Sequence, residues 1–342
     1  MYVIDVRNVN DALPQAISLL QHHGKKVVSR GMETVEMPGP VSTVYHNPTQ
    51  RVLFDPVRDA NPFFHLMESL WIIGGSNRVE LPKYFMDSID RFSDDGKTFH
   101  GAYGHRLRHA FGFDQLTAAI SILRDKPDSR QVVLSIWDGR EDLGTVTKDL
   151  PCNDLIMLKV RDGKLNMTVC NRSNDAIWGA YGANVVQFSM LQEWLAASIG
   201  VNVGHYVQQS DSFHVYTDNP FWKNACNDVH WIKTADDMYA FAEVQSYALA
   251  TNTLDALIFR KDCEMLCHMA EEQNGDLLAY QYDSTYFKDV ITPAIAAYMY
   301  YKDKMWAHAH IAVDNIKASD WRVAMKQWIQ RRQDKAAAKE QA

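Results

Sequence analysis

Apolar positions along this chain fall into distinct rhythms, and each rhythm predicts an element. The stretch "NPFFHLMESLWIIGG" (61–75) is apolar nearly all round, as expected of a buried helix. Asn61 can cap it, Pro62 suits the first helical position, and Gly74-Gly75 ends it. Residues 113–125 and 184–200 each carry an apolar helical face, the second stopped by Gly200. The runs "QVVLSIW" (131–137), "LIMLKV" (155–160) and "KLNMTVC" (164–170) predict strands. "RDG" between the last two fits a tight hairpin turn, and a further β stretch is expected at 204–216. The first 60 residues read as β and loop, interrupted by Pro38 and Pro40. From about residue 220 the pattern is mostly helical, with no linker-like change of composition, so this part should pack on the same body. The tail "RRQDKAAAKEQA" (331–342) predicts a fraying helix or disorder.

Composition narrows the class. With 342 residues, 46% hydrophobic and 23% charged, the chain can bury a sizeable core as one large domain or two smaller ones. A net charge of -7 excludes a basic footprint for nucleic acid, although a few arginines could still hold one phosphorylated nucleotide. No signal-peptide layout follows Met1, and no apolar run is long enough for a membrane span. Five scattered cysteines are not a disulfide framework, which points to a reducing, cytoplasmic compartment.

Three places could carry chemistry. Cys152 stands after Pro151 and before Asn153-Asp154, at the mouth of a strand rather than inside it. Buried cysteines are commonly small core hydrophobes. One at a strand mouth can be a nucleophile if cations such as Arg130 or Arg172 converge on it. Glu68 interrupts the apolar helix; such a carboxylate either finds a partner or works as an acid–base group with a raised pKa. "CNRSNDAIWGAYGAN" (170–184) concentrates Asn171, Arg172, Ser173, Asn174, Asp175 and Asn184 around glycines. It reads as a polar turn or as the grip for a small phosphorylated ligand. "CEMLCH" (263–268) places two cysteines one helical turn apart, which core packing explains better than a metal site, and no metal is expected.

These motifs, in this order, resemble the thymidylate synthase superfamily over roughly residues 25–220. "MESLW" resembles the helix carrying a catalytic glutamate, here Glu68, and "GAYGHRLR" resembles the Val-Tyr-Gly element, here Tyr103. "PDSRQ" resembles the Asp-Ser-Arg-Arg strand whose arginines reach the partner subunit's nucleotide, and "LPCND" resembles the Pro-Cys-His nucleophile loop. "NRSNDAIWG" resembles Gln-Arg-Ser-x-Asp-x-x-x-Gly, "NVVQFSML" resembles the helix that follows it, and "SFHVY" resembles the His-x-Tyr pair at the sugar. The resemblance implies an α+β fold, a mixed β-sheet flanked by helices. It implies a catalytic core, here 1–220; the helical pattern beyond it predicts a part at 221–330 packed on that core, and the tail at 331–342 reads as disordered. It also implies a homodimer and 5,10-methylenetetrahydrofolate as co-substrate, while the charge and the lack of a long apolar run argue against a nucleic-acid or membrane partner. Cys152 would attack C6 of a pyrimidine deoxynucleotide, with Glu68, Tyr103 and Asn153 beside it. Arg30, Arg172 and Ser173, with Arg130 of a second copy, would hold the phosphate. His214 and Tyr216 would hold the sugar, Asn184 would read the base, and Asp175 with Gly179 would meet the folate.

The departures from that pattern suggest how the reaction ends. Two family tryptophans upstream of the Tyr-Gly element correspond to Ile89 and Phe92 here. The closing apolar tail has no counterpart in "KAAAKEQA". The nucleophile's histidine neighbour is Asn153, the second arginine of the pair is Gln131, and the Pro-Phe-Asn turn is "AYGAN" with one residue inserted. Loss of shield and lid favours water over hydride at the last step, hence a dUMP or dCMP 5-hydroxymethylase. Asn184 leans towards uracil. A thymidylate synthase with a divergent lid, and a non-catalytic nucleotide-binding homologue, are the alternatives.

Overall fold

A computed structural model describes residues 1–29, 31–227, 238–272 and 276–341. One eight-stranded mixed sheet organises it. Its strands are β1 (Tyr2–Val6), β2 (Lys25–Ser29), β3 (Met32–Glu36), β4 (Val41–Tyr45), β5 (Val132–Ser135), β6 (Asn153–Arg161), β7 (Lys164–Asp175) and β8 (Asn202–Tyr216). The spatial order is β1-β4-β8-β7-β6-β5, and the β2–β3 hairpin joins through β3 to the end of β8. β6 and β7 are antiparallel, turning at Asp162 and Gly163, both with positive φ as the "RDG" signal requires. β7 and β8 run parallel over nearly their whole length.

The helices are α1 (Val9–His23), α2 (Pro62–Gly74), α3 (Glu80–Phe85), α4 (Tyr103–His105), α5 (Gln115–Asp125), α6 (Val185–Ile199), α7 (Pro220–Asn227), α8 (Thr253–Glu272), α9 (Thr292–Lys302), α10 (Trp306–Asp314) and α11 (Ser319–Gln341). α2 begins as its sequence requires, with the Asn61 side chain accepting from the Phe64 N–H at 3.1 Å. It packs against both α6 and α8, and every side chain from Pro62 to Ile73 is buried except Glu68. Cys263 and Cys267 are buried where α8 crosses α2, beside Gly74, and burial pushes both thiols up. That is a packing role. No group of three or more His, Cys, Asp or Glu is placed to hold a metal among the described residues. No helix among them is long and apolar enough to cross a membrane.

Three expectations need correction. The first 60 residues are not only β and loop, because α1 occupies residues 9–23. Its buried stripe of Val9, Ala12, Leu13, Ala16, Ile17 and Leu20 has helical spacing, and Pro14, inside the helix, sits off that stripe. The stretch after Cys170 is not a turn. β7 continues to Asp175, and Ala176–Asn184 forms a widened π-type helical segment that runs into α6. The tail does not fray from 331 either, because α11 continues to Gln341. Asp59 anchors it, accepting from Arg331 Nε at 2.9 Å, Arg332 Nη1 at 2.7 Å and Lys335 Nζ at 3.2 Å. Burial alone would raise the Asp59 carboxyl; these cations more than offset it and hold it below the ordinary aspartate range.

Candidate active site

The strands deliver their polar residues to one end of the sheet. β6–β7 pairing sets Asn153 opposite Asn171, and β7–β8 pairing sets Asp175 beside His214. A bulge between Asn153 and Leu155 bends the entry to β6; bulges of this kind re-aim a strand end. Both Ile136 and Trp137 donate to the Asp154 carbonyl there, each at 2.9 Å, and Arg172 N–H bonds the Cys152 carbonyl at 3.0 Å. The loop 148–152 is therefore held from two sides.

Arg172 is the centre of that hold. Its Nε donates to the Pro151 carbonyl at 2.8 Å and its Nη2 to the Leu150 carbonyl at 3.1 Å. The same Nη2 stands 3.8 Å from Cys152 Sγ, and the guanidinium lies over the Trp137 ring. A fixed cation at this distance favours the thiolate over the thiol. Cys152 is half-buried, unlike Cys263 and Cys267. Of the two readings of this cysteine, the core hydrophobe has little support here.

Beside the loop opens a cleft of about 780 Å³, within the range of small-molecule sites. Glu68, Tyr103, Asp149, Asp175, Gly179, Asn184, Gln187 and Tyr216 contribute its polar lining. The Tyr103 hydroxyl feels the charge of Cys152 and hydrogen-bonds the Asn153 side chain. Burial, then the Cys152 and Asp149 charges, push that phenol far above its ordinary range, so Tyr103 keeps its proton. Asn153 is fully buried and is bonded by the Asn171 amide.

Glu68 is the one charged residue that α2 presents to the cleft, beside Phe64, Trp71 and Ile72. Gln187 Nε2 donates to its Oε2 at 2.5 Å. Removal from bulk water pushes the carboxyl up to about 7; the Gln187 bond opposes this and the Asp149 charge adds to it. Asp149 is itself pushed up to about 6 by burial, against the Gly101 N–H bond of 2.7 Å and the nearby His100 and Arg106 charges. Gly101 must be glycine here, because a Cβ would stand 2.6 Å from the Asp149 carbonyl oxygen. Neither Asp149 nor Gln187 stood out in the sequence. The only available signal was that Asp149 lies three residues before the cysteine.

Asn184 closes a relay. Its Nδ2 donates to Asn174 Oδ1 at 3.1 Å, and Asn174 Nδ2 donates to Ser210 at 3.0 Å and Gln208 at 3.2 Å. That chain fixes which way the Asn184 amide points. Gly179 leaves the room this needs, since a Cβ there would stand 2.7 Å from Asn174 Oδ1. Asp175 Oδ1 caps the π segment, accepting from Ile177 at 2.6 Å and Trp178 at 2.7 Å. Its Oδ2 is buried and has no hydrogen-bond partner among the described residues, and burial raises its pKa. His214 stacks edge-on against Tyr216 with ring centroids 5.4 Å apart.

The other phosphate candidates are not gathered here. Ser173 pairs with Ser212 in the sheet and does not line the cleft. Arg130 is exposed ahead of edge strand β5, away from this lining. Arg30 lies outside the described residues. The rest of the cleft is apolar, with Phe64, Pro82, Met86, Ile89, Phe92 and Phe99 among its lining.

Comparison with known proteins agrees with this geometry. The family model for thymidylate synthase matches residues 23–234. The deoxyuridylate hydroxymethyltransferase of Pseudomonas phage M6 is 42% identical over 342 residues, covering 97% of this chain and 95% of that one. The deoxyuridylate hydroxymethyltransferase of Bacillus phage SP01 is 38% identical over 230 residues, covering 64% of this chain and 60% of its own. Among solved structures, thymidylate synthase from T4 phage superposes with a TM-score of 0.52 at 19% identity, over 63% of this chain and 79% of that chain, a likeness of fold.

Proposed function

The chain belongs to the thymidylate synthase family, and from that premise we propose that it is a deoxypyrimidylate 5-hydroxymethylase acting on dUMP. The observation that carries the chemistry is Cys152 Sγ held 3.8 Å from Arg172 behind a cleft that contains Glu68 and Asn184. The Cys152 thiolate adds to C6 of the base, which makes C5 a nucleophilic, enolate-like carbon. 5,10-Methylenetetrahydrofolate supplies the one-carbon unit that C5 captures. The unpartnered Asp175 Oδ2 suits an N–H of that heterocycle, and the apolar stretch from Met86 to Phe92 suits its flat body. Asn184, oriented by Asn174, reads the uracil edge. Glu68 moves protons at the base, since a carboxyl near 7 can both give and take one at neutral pH.

Water completes the reaction in this reading. Both phage relatives above are named as hydroxymethyltransferases. Ile89 and Phe92 line the cleft at the two positions where the resemblance places tryptophans. Exposed Arg130 would serve the nucleotide of a second copy in a homodimer. Phage relatives and five free cysteines are in keeping with work in a host cytoplasm.

The test is a product assay. The protein, methylenetetrahydrofolate and either dUMP or dCMP are incubated, with mass spectrometry of the nucleotide and absorbance of dihydrofolate followed together. Hydroxymethyl-dUMP without dihydrofolate is expected. Methyl nucleotide with an equal amount of dihydrofolate would make the chain a thymidylate synthase instead.

A further inference from the structure

Four carboxyl groups line this cleft; Asp175 caps the π segment and Asp218 is exposed beyond β8, which leaves Glu68 and Asp149 for the distinct proton transfers of the reaction proposed above. Glu68 projects from α2 and is bonded by a side-chain amide. Asp149 sits in the same loop as Cys152, three residues before it, and is fixed by the Gly101 backbone N–H. The two share a charge environment with Tyr103, so they belong to one constellation. The attached one-carbon unit sits on C5, the atom next to the C6 that Cys152 holds. A base for water added there must lie within hydrogen-bond reach of that water, close to the nucleophile. Asp149 shares the nucleophile's own loop, and Arg172 grips that loop at the Leu150, Pro151 and Cys152 carbonyls through its side chain and backbone.

We propose, resting on the hydroxymethylase reading, that Asp149 is the catalytic base for the hydration step, taking the proton of the water that attacks the exocyclic methylene carbon. In that step the water oxygen bonds to the methylene carbon, and the methylene π pair moves into the ring to form the C4 enolate. Asp149 takes the water proton. The enolate then re-forms the C4 carbonyl and the C5–C6 double bond, expelling the Cys152 thiolate. No oxidant or reductant is consumed. Asp149 faces the Gly101 N–H, His100, Arg106, Asp94, Glu68 and Tyr103; its place on the nucleophile's loop assigns it the water, and leaves Glu68, on α2, the protons at the base.

The experiment compares wild type with Asp149→Asn, whose amide oxygen can still accept the Gly101 bond. Tritium release from C5-labelled dUMP reports the steps up to loss of the C5 proton, and mass spectrometry reports hydroxymethyl product. In a single turnover with enzyme in excess, Asp149→Asn should release tritium within about 3-fold of the wild-type rate while hydroxymethyl formation falls by roughly 10²-fold. Added 2-mercaptoethanol, whose thiolate needs no base, should trap the methylene as a thioether on the nucleotide. Hydroxymethyl formation within about 3-fold of wild type, or tritium release falling in step with product, would overturn the assignment. A wild type that makes methyl nucleotide defeats the underlying activity as well, so the two failures are told apart by the wild-type product alone.

Discussion

Two sets of residues line the same cleft and do different work. One set is polar and comes from the cleft face of α2, the nucleophile loop and the segment from Asp175 into α6. It includes Glu68, Tyr103, Asp149, Asp175, Asn184 and Gln187. The other is apolar and comes from Phe64, Trp71 and Ile72 of α2, from Pro82 and Met86, and from Ile89 and Phe92 of the short helical turn at Asp87–Phe92. Each polar residue named has at least one hydrogen bond that fixes its direction, such as Gln187 to Glu68, Gly101 to Asp149 and Asn184 to Asn174. The apolar set has only packing, and Phe92 is 40% exposed. The polar set is thus preorganised for bond making, whereas the apolar set governs how much water reaches the bond.

Substitutions in the polar set should therefore cost orders of magnitude. Cys152→Ala should reduce turnover to background while dUMP still binds, read by calorimetry beside the activity assay; turnover near wild type would remove the nucleophile. Glu68→Gln should lower turnover by about 10²- to 10³-fold, the scale of one positioned acid–base group. It should also change the pH dependence of stability. A carboxyl whose folded pKa is about 7 binds its proton more tightly folded than unfolded. Wild-type stability contributed by this group is therefore complete below the unfolded value of 4.5 and is lost as pH rises towards 7. Relative to wild type, Glu68→Gln should be favoured in thermal melts at pH 8 over pH 5. An identical difference at the two pH values would mean that Glu68 is not proton-loaded in the fold.

Smaller effects sharpen the contrast. Asn184→Asp should shift the dUMP:dCMP ratio of efficiencies towards cytosine by about 10-fold or more, because a reversed hydrogen-bond edge leaves buried groups unpaired. An unchanged ratio would place base reading elsewhere. In the apolar set, Ile89→Trp with Phe92→Trp should leave C5 tritium release within about 3-fold yet lower the hydroxymethyl yield per release, by excluding water. A proportional loss of both would mean that these residues bind substrate rather than control hydration. Arg332→Ala, far from the chemistry, should cost only about 1 kcal/mol in chemical denaturation, because Arg331 and Lys335 still hold Asp59.

How far the sequence foretold this depends on the range of the signal. α2 was legible because Asn61 and Pro62 act within one helical turn, and the β6–β7 hairpin because Asp162-Gly163 sets its own turn. α1 was missed because Pro14, although off the apolar stripe, reads as a helix breaker within the segment. The tail was read as frayed because nothing within 331–342 reveals Asp59, more than 270 residues away, as its anchor. Glu68 was conspicuous as a lone charge in an apolar helix, whereas Asp149, in a loop where charge is ordinary, was not.

The sequence alone determined most of the elements, the residue types available for catalysis and, through motif order, the family. Such information is local or ordinal and survives without coordinates. Only the tertiary structure decided which groups act together. It set Arg172 against Cys152, turned Asn184 through Asn174, left Asp175 Oδ2 without a hydrogen bond among the described residues, and put Asp149 into the same cleft as Glu68. Proton affinity and nucleophilicity depend on burial and on distances of a few ångströms between residues remote in sequence, and these exist only once the chain has folded.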